Sequence, residues 1–122
     1  MKNALNWFEI PASDFERAVK FYNHIFDTAM YTSVNNDYKM AFLPMESPGV
    51  GGAIVNGPNR VPTLDGALVY LNGQPDLQVV LDRIEPAGGK IIMDKSLIAP
   101  ELGYMAIFID SEGNKVALHS MS

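Results

Sequence analysis

The apolar residues of the first half of the chain follow a strand period, then a helical period, then strand periods again. The stretch "NWFEIPASD" is typical of a strand that enters a turn. Ser13 and Glu16 form a capping-box pattern at the start of "SDFERAVKFYNHIF". This segment has apolar side chains at helical spacing, namely Phe15, Ala18, Val19, Tyr22, Ile25 and Phe26. "AMYTSV" and "YKMAFLP" then flank "NND" as in a hairpin, and "GVGGAIV" follows as a short strand.

The second half repeats this order. "GALVYLN" predicts a strand, "PDLQVVLDRI" a helix that ends at "PAGG", and "KIIMDKS", "GYMAIFI" and "NKVALHS" three further strands. Landmarks recur at a spacing of 62 to 65 residues: Phe15 with Leu77, Met40 with Met105, Ala53 with Ala117. We therefore expect an α+β fold of two tandem βαβββ modules.

The boundary between the two modules lies in a segment rich in Pro, Gly and Asn. We assign residues 1–56 to module one, 57–64 to a linker and 65–122 to module two. Each module alone would expose one face of a four-stranded sheet. The modules should therefore pack on each other or on a partner chain, within a single domain of 122 residues.

Composition narrows the classes of function. The chain has nine Lys and Arg residues and fourteen Asp and Glu residues, which give a net charge of −5. It also has no run of basic residues, so nucleic acid is not an expected partner. Without cysteine there is no disulfide framework, no zinc–thiolate site and no thiol nucleophile. The start "MKNALNWFEI" has the pattern of neither a signal peptide nor a membrane span, so a cytoplasmic protein is the default expectation.

The tandem order, with "WFEIPASDFERAVKFY" at the front and "GYMAIFIDSEGNKVALHS" at the back, resembles the vicinal oxygen chelate superfamily. That superfamily holds glyoxalase I, extradiol dioxygenases, fosfomycin-resistance enzymes and bleomycin-resistance proteins. The resemblance covers nearly the whole chain and implies curved mixed sheets around a U-shaped cavity, usually completed in a homodimer. Fold does not fix function, so the reaction stays open.

In metal-using members of that superfamily, each of four strands supplies one ligand. The resemblance carries these positions onto Trp7, Leu68, Ala117 and, by the repeat, Ala53 or a neighbour in "GVGGAIV". None of these side chains has a donor atom for a divalent ion, which needs three or more N or O ligands. We therefore predict no metal cofactor, and the glyoxalase I and extradiol dioxygenase reactions, which depend on that ion, are in doubt for this chain.

Side chains alternate across a strand, so Glu9 shares the face of Trp7, and His119 and Lys115 share the face of Ala117. Tyr70 and Asn72 share the face of Leu68 on the same argument. If that face lines the cavity, its rim consists of Trp7, Glu9, Tyr70, Asn72 and His119. An apolar pocket with a few convergent polar groups is typical of a small-molecule site.

These residues admit two classes of function. The first is a metal-free small-molecule binding protein, similar to the bleomycin-resistance branch, that holds an apolar or aromatic compound between Trp7 and Tyr70. Leu68, Asn72 and Ala117 would complete its ligand site. The second is a glyoxalase-like lyase or related enzyme in which Glu9 and His119 act as acid and base or as metal ligands at unfamiliar positions. Each residue also has a purely structural reading: core packing for Trp7, a backbone bond for Glu9 and a solvated position for His119.

The segment "GVGG" invites comparison with phosphate-binding loops. It lacks the lysine and the strand-to-helix context of such loops. We expect its glycines to let a strand curve or a partner chain approach.

Overall fold

The computed structural model describes residues 2–122 and contains two βαβββ units in chain order, as the sequence predicts. The first unit consists of β1 (Trp7–Pro11), α1 (Phe15–Phe26), β2 (Tyr31–Asn35), β3 (Tyr38–Phe42) and β4 (Gly51–Asn56). The second consists of β5 (Tyr70–Asn72), α2 (Leu77–Leu81), β6 (Lys90–Ala99), β7 (Gly103–Ile109) and β8 (Lys115–Ser120). The landmark pairs hold, because Phe15 and Leu77 each open a helix and Ala53 and Ala117 each stand third in a strand.

Each unit forms one four-stranded mixed sheet. The strand orders are β1-β4-β3-β2 and β5-β8-β7-β6, so the two sheets have the same topology. In each sheet the first strand pairs in parallel with the last, and the other pairs are antiparallel. The outer strands are β1 and β2 in the first sheet and β5 and β6 in the second, and each has an edge that no other strand within residues 2–122 covers.

Two local predictions need correction. Helix α1 is capped by Asp14, whose side chain accepts a hydrogen bond from the backbone N–H of Arg17 at 3.1 Å. Ser13 is not the cap, because its hydroxyl donates to Glu112 of the second unit at 3.2 Å. The strand predicted for "GALVYLN" is shorter than expected and contains only Tyr70–Asn72. The residues before it are not part of the ladder, although the Val69 carbonyl accepts a hydrogen bond from the Ala117 N–H.

One hydrophobic core joins the two units. It consists of side chains from both helices and from the equivalent face of each sheet. These include Ile10 and Ile54 of the first sheet and Phe108 and Leu118 of the second. We call this face of each sheet the helix face and the opposite one the open face. Trp7 and Glu9 lie on the open face of the first sheet because they alternate with Phe8 and Ile10, which pack toward the core.

A buried polar cluster also joins the units. Tyr22 of α1 donates to Asp110 Oδ2 at 2.7 Å, and Asp110 also accepts bonds from the backbone N–H groups of Glu112 and Asn114 and from Asn114 Nδ2, each at 2.9 Å. Burial and the neighbouring carboxylate of Asp110 raise the pKa of Tyr22 well above its ordinary value. Asn114 Nδ2 extends the cluster to the Pro11 carbonyl at 2.7 Å.

A second, partly exposed contact lies at the start of α1. Glu112 accepts bonds from the Asp14 N–H at 2.6 Å and from Arg17 Nε at 2.7 Å, and its side chain is excluded from solvent. The "DSEGN" segment thus positions two carboxylates, Asp110 and Glu112, against the helix of the other unit.

No helix within residues 2–122 is both long and apolar enough to cross a membrane.

Candidate functional site

The open face of the first sheet carries a row of aromatic rings. The Trp7 and Phe42 rings lie 6.0 Å apart between centroids, and the Phe42 and Tyr31 rings stack at 5.9 Å. Trp7 is 42% exposed and Tyr31 75% exposed, so the row faces solvent. In the ladder, Glu9 pairs with Ala53, Ala53 with Phe42 and Phe42 with Tyr31, which places Glu9 at one end of the row.

The Glu9 carboxylate has two partners. It accepts a bond from Arg60 Nε at 3.0 Å and a longer one from the Trp7 indole N–H at 3.4 Å. The Arg60 guanidinium also lies over the Tyr38 ring, 5.1 Å from its centroid. Arg60 comes from the predicted linker and crosses the open face from β1 to β3.

The open face of the second sheet brings together the other predicted residues. Tyr70 pairs with Ala117 and Asn72 with His119 in the β5–β8 ladder. Asn72 Oδ1 accepts a bond from the Gln74 N–H at 2.8 Å, and the Tyr70 hydroxyl lies 4.0 Å from the sulfur of Met105. Ala117 is fully buried, and Leu68 is half-buried just before β5.

His119 contacts the chain through one ring nitrogen. Its Nε2 lies 2.6 Å from the Leu102 carbonyl oxygen. Because a carbonyl oxygen only accepts, we assign the proton to Nε2, which leaves Nδ1 for another partner.

Glu9 and His119 line different cavities. Glu9 lines one of about 210 Å³ together with Thr63 and Lys115, whereas His119 lines one of about 410 Å³ beside Asn72 and Gln74. The structure therefore brings His119 next to Tyr70 and Asn72, and it places Glu9 with Arg60 and Trp7.

A cavity lined by residues of both units lies between the two sheets, and we call it the seam cavity. Its volume is about 390 Å³. Apolar side chains from both units form most of its wall, among them Phe8, Phe26, Leu43, Val50 and Leu71. Polar side chains of the second unit line one side, namely Tyr70, Asn72 and Gln74.

Two glycines of the "GVGG" segment shape the wall of this cavity. A Cβ on Gly52 would overlap the ring of Phe8, its ladder partner on the helix face. A Cβ on Gly51 would lie 3.3 Å from the Trp7 ring. The segment therefore lets β4 accept the two rings of β1 directly against its backbone, which is the close approach that glycine permits in a strand.

The metal that the fold family implies does not fit this chain. Trp7, Ala53, Leu68 and Ala117 offer no N, O or S donor, apart from an indole N–H that bonds to Glu9. Across residues 2–122, no three His, Asp or Glu side chains are close enough to hold an ion. The absence of a metal cofactor stays a prediction.

Several residues around these sites could not be found from the sequence. The sequence pattern predicts that Phe8 and Phe26 are core residues. In the structure they are half-buried, because the seam cavity opens beside them. Arg60 lies in a linker, where no periodicity indicates the direction of a side chain. Gln74 lies two residues after the last residue of β5, and its only sequence signal is its nearness to Asn72.

Comparison with known proteins identifies the family. The family model described as "Glyoxalase/Bleomycin resistance protein/Dioxygenase superfamily" matches residues 4–118. A "Glyoxylase-like domain-containing protein" from Didymella fabae is 29% identical over 118 residues, which cover 93% of this chain and 91% of that protein.

Solved structures show the same fold. A variant of glyoxalase I from Zea mays superposes with a TM-score of 0.72 at 21% identity, covering 96% of this chain. This chain spans 46% of the length of that maize enzyme. A glyoxalase/bleomycin resistance protein from Albidiferax ferrireducens superposes with a TM-score of 0.69 at 20% identity, covering 97% of this chain and 98% of the other. The chain therefore belongs to the glyoxalase/bleomycin resistance protein/dioxygenase superfamily.

Proposed function

We propose that this protein binds a small, largely apolar molecule in the seam cavity without using a metal ion. The observation that carries the proposal is the cavity itself, whose volume of about 390 Å³ falls in the range of ligand pockets, roughly 300 to 1,000 Å³. Its wall is mostly apolar, with polar groups on one side, as in many small-molecule sites.

The polar side of the cavity suggests which ligands it accepts. The side-chain oxygen of Asn72 accepts a hydrogen bond from the Gln74 N–H. The side-chain oxygen of Gln74 accepts one from the Met121 N–H at 3.1 Å. Both amide NH₂ groups keep their donors, because no acceptor within residues 2–122 takes a bond from them. A ligand with an apolar body and one carbonyl or ether oxygen would match this arrangement.

The alternative function, an enzyme that uses Glu9 and His119 as acid and base, has less support. The carboxylate of Glu9 bonds to Arg60 and Trp7, and His119 bonds to Leu102. An acid–base pair needs both groups within reach of the same reacting atoms. The two side chains line separate cavities, so binding is the function that the geometry favours.

The binding proposal can be tested with 2-acetylnaphthalene, a neutral aromatic ketone. We expect measurable binding by isothermal titration calorimetry, and we expect it to persist after dialysis against a chelator. Val50→Trp should weaken binding by at least about tenfold, because the indole would fill space that the ligand needs.

Val61→Trp is the matched control. Val61 is 76% exposed and lies outside the seam cavity, so the same substitution there should leave binding unchanged. Equal binding by wild type and Val50→Trp would contradict the cavity as the site. Loss of binding after chelation, restored by a divalent ion, would contradict the metal-free part.

We also propose that the protein forms a homodimer. Two of the four edge strands, β2 and β6, carry several exposed apolar side chains: Tyr31 and Val34 on β2, and Ile92, Met93, Leu97 and Ile98 on β6. Such edges are a liability for a soluble chain unless something covers them, and a second copy is the simplest cover. Light scattering in dilute solution should give about twice the chain mass of 13.4 kDa. A mass of one chain would contradict the proposal.

A further inference from the structure

We infer that Asp65 and Gly66 form a modification site, at which the folded protein slowly converts an aspartate into isoaspartate. The sequence has three pairs of Asn or Asp followed by Gly, namely Asn56–Gly57, Asp65–Gly66 and Asn72–Gly73. In such a pair the side chain can react with the backbone nitrogen of the glycine, which has no Cβ to hinder the approach. The inference does not rest on ligand binding in the seam cavity.

The reaction needs no cofactor, and its atoms balance with water. The Gly66 backbone nitrogen attacks Cγ of the protonated Asp65 carboxyl group and loses its proton, while a hydroxyl group leaves, so that one water is released and a succinimide ring closes. Water then adds to either carbonyl carbon of the ring. Cleavage of one carbon–nitrogen bond restores aspartate, and cleavage of the other leaves the main chain running through Cγ, which is isoaspartate.

Both reacting groups are free at Asp65–Gly66. The two residues are exposed in a bend between the units. The Asp65 N–H donates to Thr63 Oγ1 at 3.0 Å, but within residues 2–122 the Asp65 carboxylate accepts no hydrogen bond and the Gly66 N–H donates none. A Cβ built on Gly66 would have only the Thr63 methyl group within 4 Å, at 3.7 Å. The nitrogen can therefore reach the carboxyl group without breaking a hydrogen bond or displacing a neighbour.

The loop around this pair, residues 64–68, is anchored at both ends. Before it, the Thr63 N–H donates to Asn114 Oδ1 at 3.2 Å. After it, the Val69 carbonyl accepts from the Ala117 N–H at 2.9 Å. Isoaspartate adds one methylene group to the main chain between these anchors, and surface loops tolerate such a change. The modified protein should therefore keep the fold.

The two Asn–Gly pairs are held by hydrogen bonds instead. The Gly73 nitrogen donates to the His119 carbonyl at 2.8 Å, so the attacking atom of that pair is occupied. Asn56 lies in β4, and its Nδ2 donates to the carbonyls of Ala12 at 2.9 Å and Ser13 at 3.3 Å. Each pair must first open locally before it can react. An asparagine amide is more reactive than an aspartate carboxylate at neutral pH, so unfolding should reverse the order of the sites.

The test compares the folded protein with the same chain in guanidinium chloride, both kept at neutral pH for weeks. After removal of the denaturant, an isoaspartyl methyltransferase with labelled S-adenosylmethionine measures isoaspartate, and peptide mass spectrometry with electron-transfer fragmentation locates it. We expect residue 65 to be modified first in the folded protein, at a rate within about threefold of that in the unfolded chain. Both Asn–Gly pairs should react at least about tenfold faster in the unfolded chain, because no opening step remains.

Asp65→Glu is the matched control. It keeps the charge at an exposed position, but its longer side chain would have to close a larger ring, which forms far more slowly. This variant should accumulate no isoaspartate at residue 65, and its thermal unfolding should equal that of wild type. Reaction of either Asn–Gly pair before Asp65 in the folded protein, or a rate at Asp65 more than about tenfold below that of the unfolded chain, would overturn the inference. Failure of 2-acetylnaphthalene to bind would overturn the seam cavity alone.

Discussion

Asp110→Ala should lower the free energy of unfolding by about 3 to 5 kcal/mol, the cost of removing one partner from a buried charged network. Asp110 is 4% exposed and accepts four hydrogen bonds, from Tyr22 Oη, from the N–H groups of Glu112 and Asn114, and from Asn114 Nδ2. Alanine would leave all four donors without this acceptor. For a chain of this size the melting temperature should fall by roughly 10 to 20 °C.

Tyr22→Phe provides the matched control for Asp110→Ala. It removes only one donor from the network and keeps the ring in the core, so the loss should be about 1 to 2 kcal/mol. Urea unfolding, followed by far-ultraviolet circular dichroism, measures both variants. A loss below about 1 kcal/mol for Asp110→Ala would show that water replaces the carboxylate and that the two units do not depend on this network.

The fold was predictable from the sequence because its signals are local and occur twice. The residues of helix α1 that are buried in the core are all apolar or aromatic. In the hairpin turn "NND", Asn36 has a positive φ of 57°, which asparagine tolerates. The same signals recur in the second half of the chain, where Leu77 opens a helix equivalent to the one that Phe15 opens. Burial of Ile84 beyond the end of α2 follows the predicted helical spacing even though the helix itself ends at Leu81.

The candidate sites were only partly predictable. Strand alternation, with the family resemblance, predicts one cavity rim of Trp7, Glu9, Tyr70, Asn72 and His119. The structure pairs Tyr70 with Ala117 and Asn72 with His119, and it places Glu9 at a separate cavity. Alternation gives no distance between faces, so it could not show that Glu9 pairs with Arg60 across the sheet. The seam cavity depends on how two separately folded sheets meet, and Phe8 lines it from a position that the pattern assigns to the core.

The start of α1 shows the same limit on a smaller scale. The capping-box pattern of Ser13 and Glu16 is a local signal, but the Ser13 hydroxyl donates its hydrogen bond to the carboxylate of Glu112, which lies 99 residues away along the chain. Hydrogen bonds to charged groups are stronger than hydrogen bonds between neutral groups. The Ser13 hydroxyl bonds to the charged Glu112, and Asp14 caps the helix.

Glu112→Gln should destabilise the protein at neutral pH, and the difference from wild type should shrink as the solution becomes acidic. Burial alone would raise the pKa of Glu112, but hydrogen bonds from Arg17, the Asp14 N–H and Ser111 outweigh it and lower the pKa below its ordinary value of 4.5. A carboxyl group whose pKa is lower in the folded state stabilises the protein fully at pH values above its unfolded-state pKa. This contribution disappears as the pH falls through its folded-state pKa.

The size of this effect follows from the contacts of Glu112. Its oxygens accept from Ser13, the Asp14 N–H, Arg17 and Ser111, at distances between 2.6 and 3.2 Å. Hydrogen bonds to a charged group are worth about 1.5 to 3 kcal/mol, and a glutamine side chain keeps only part of this because it has one acceptor oxygen. We expect a loss of about 2 kcal/mol at pH 7 and a smaller loss near pH 3.

Asp76→Asn is the control for acid sensitivity within one unit. A hydrogen bond from Lys95, with a second from the Gln78 N–H, lowers the pKa of Asp76, so this variant should also be less acid-sensitive than wild type. Asp76 contacts only the second unit, whereas Glu112 holds α1 of the first. Urea unfolding of the three proteins at pH 7 and at about pH 3 separates the two carboxylates. A gap between wild type and Glu112→Gln that stays constant over this range would mean that the carboxylate acts through its shape and not through its charge.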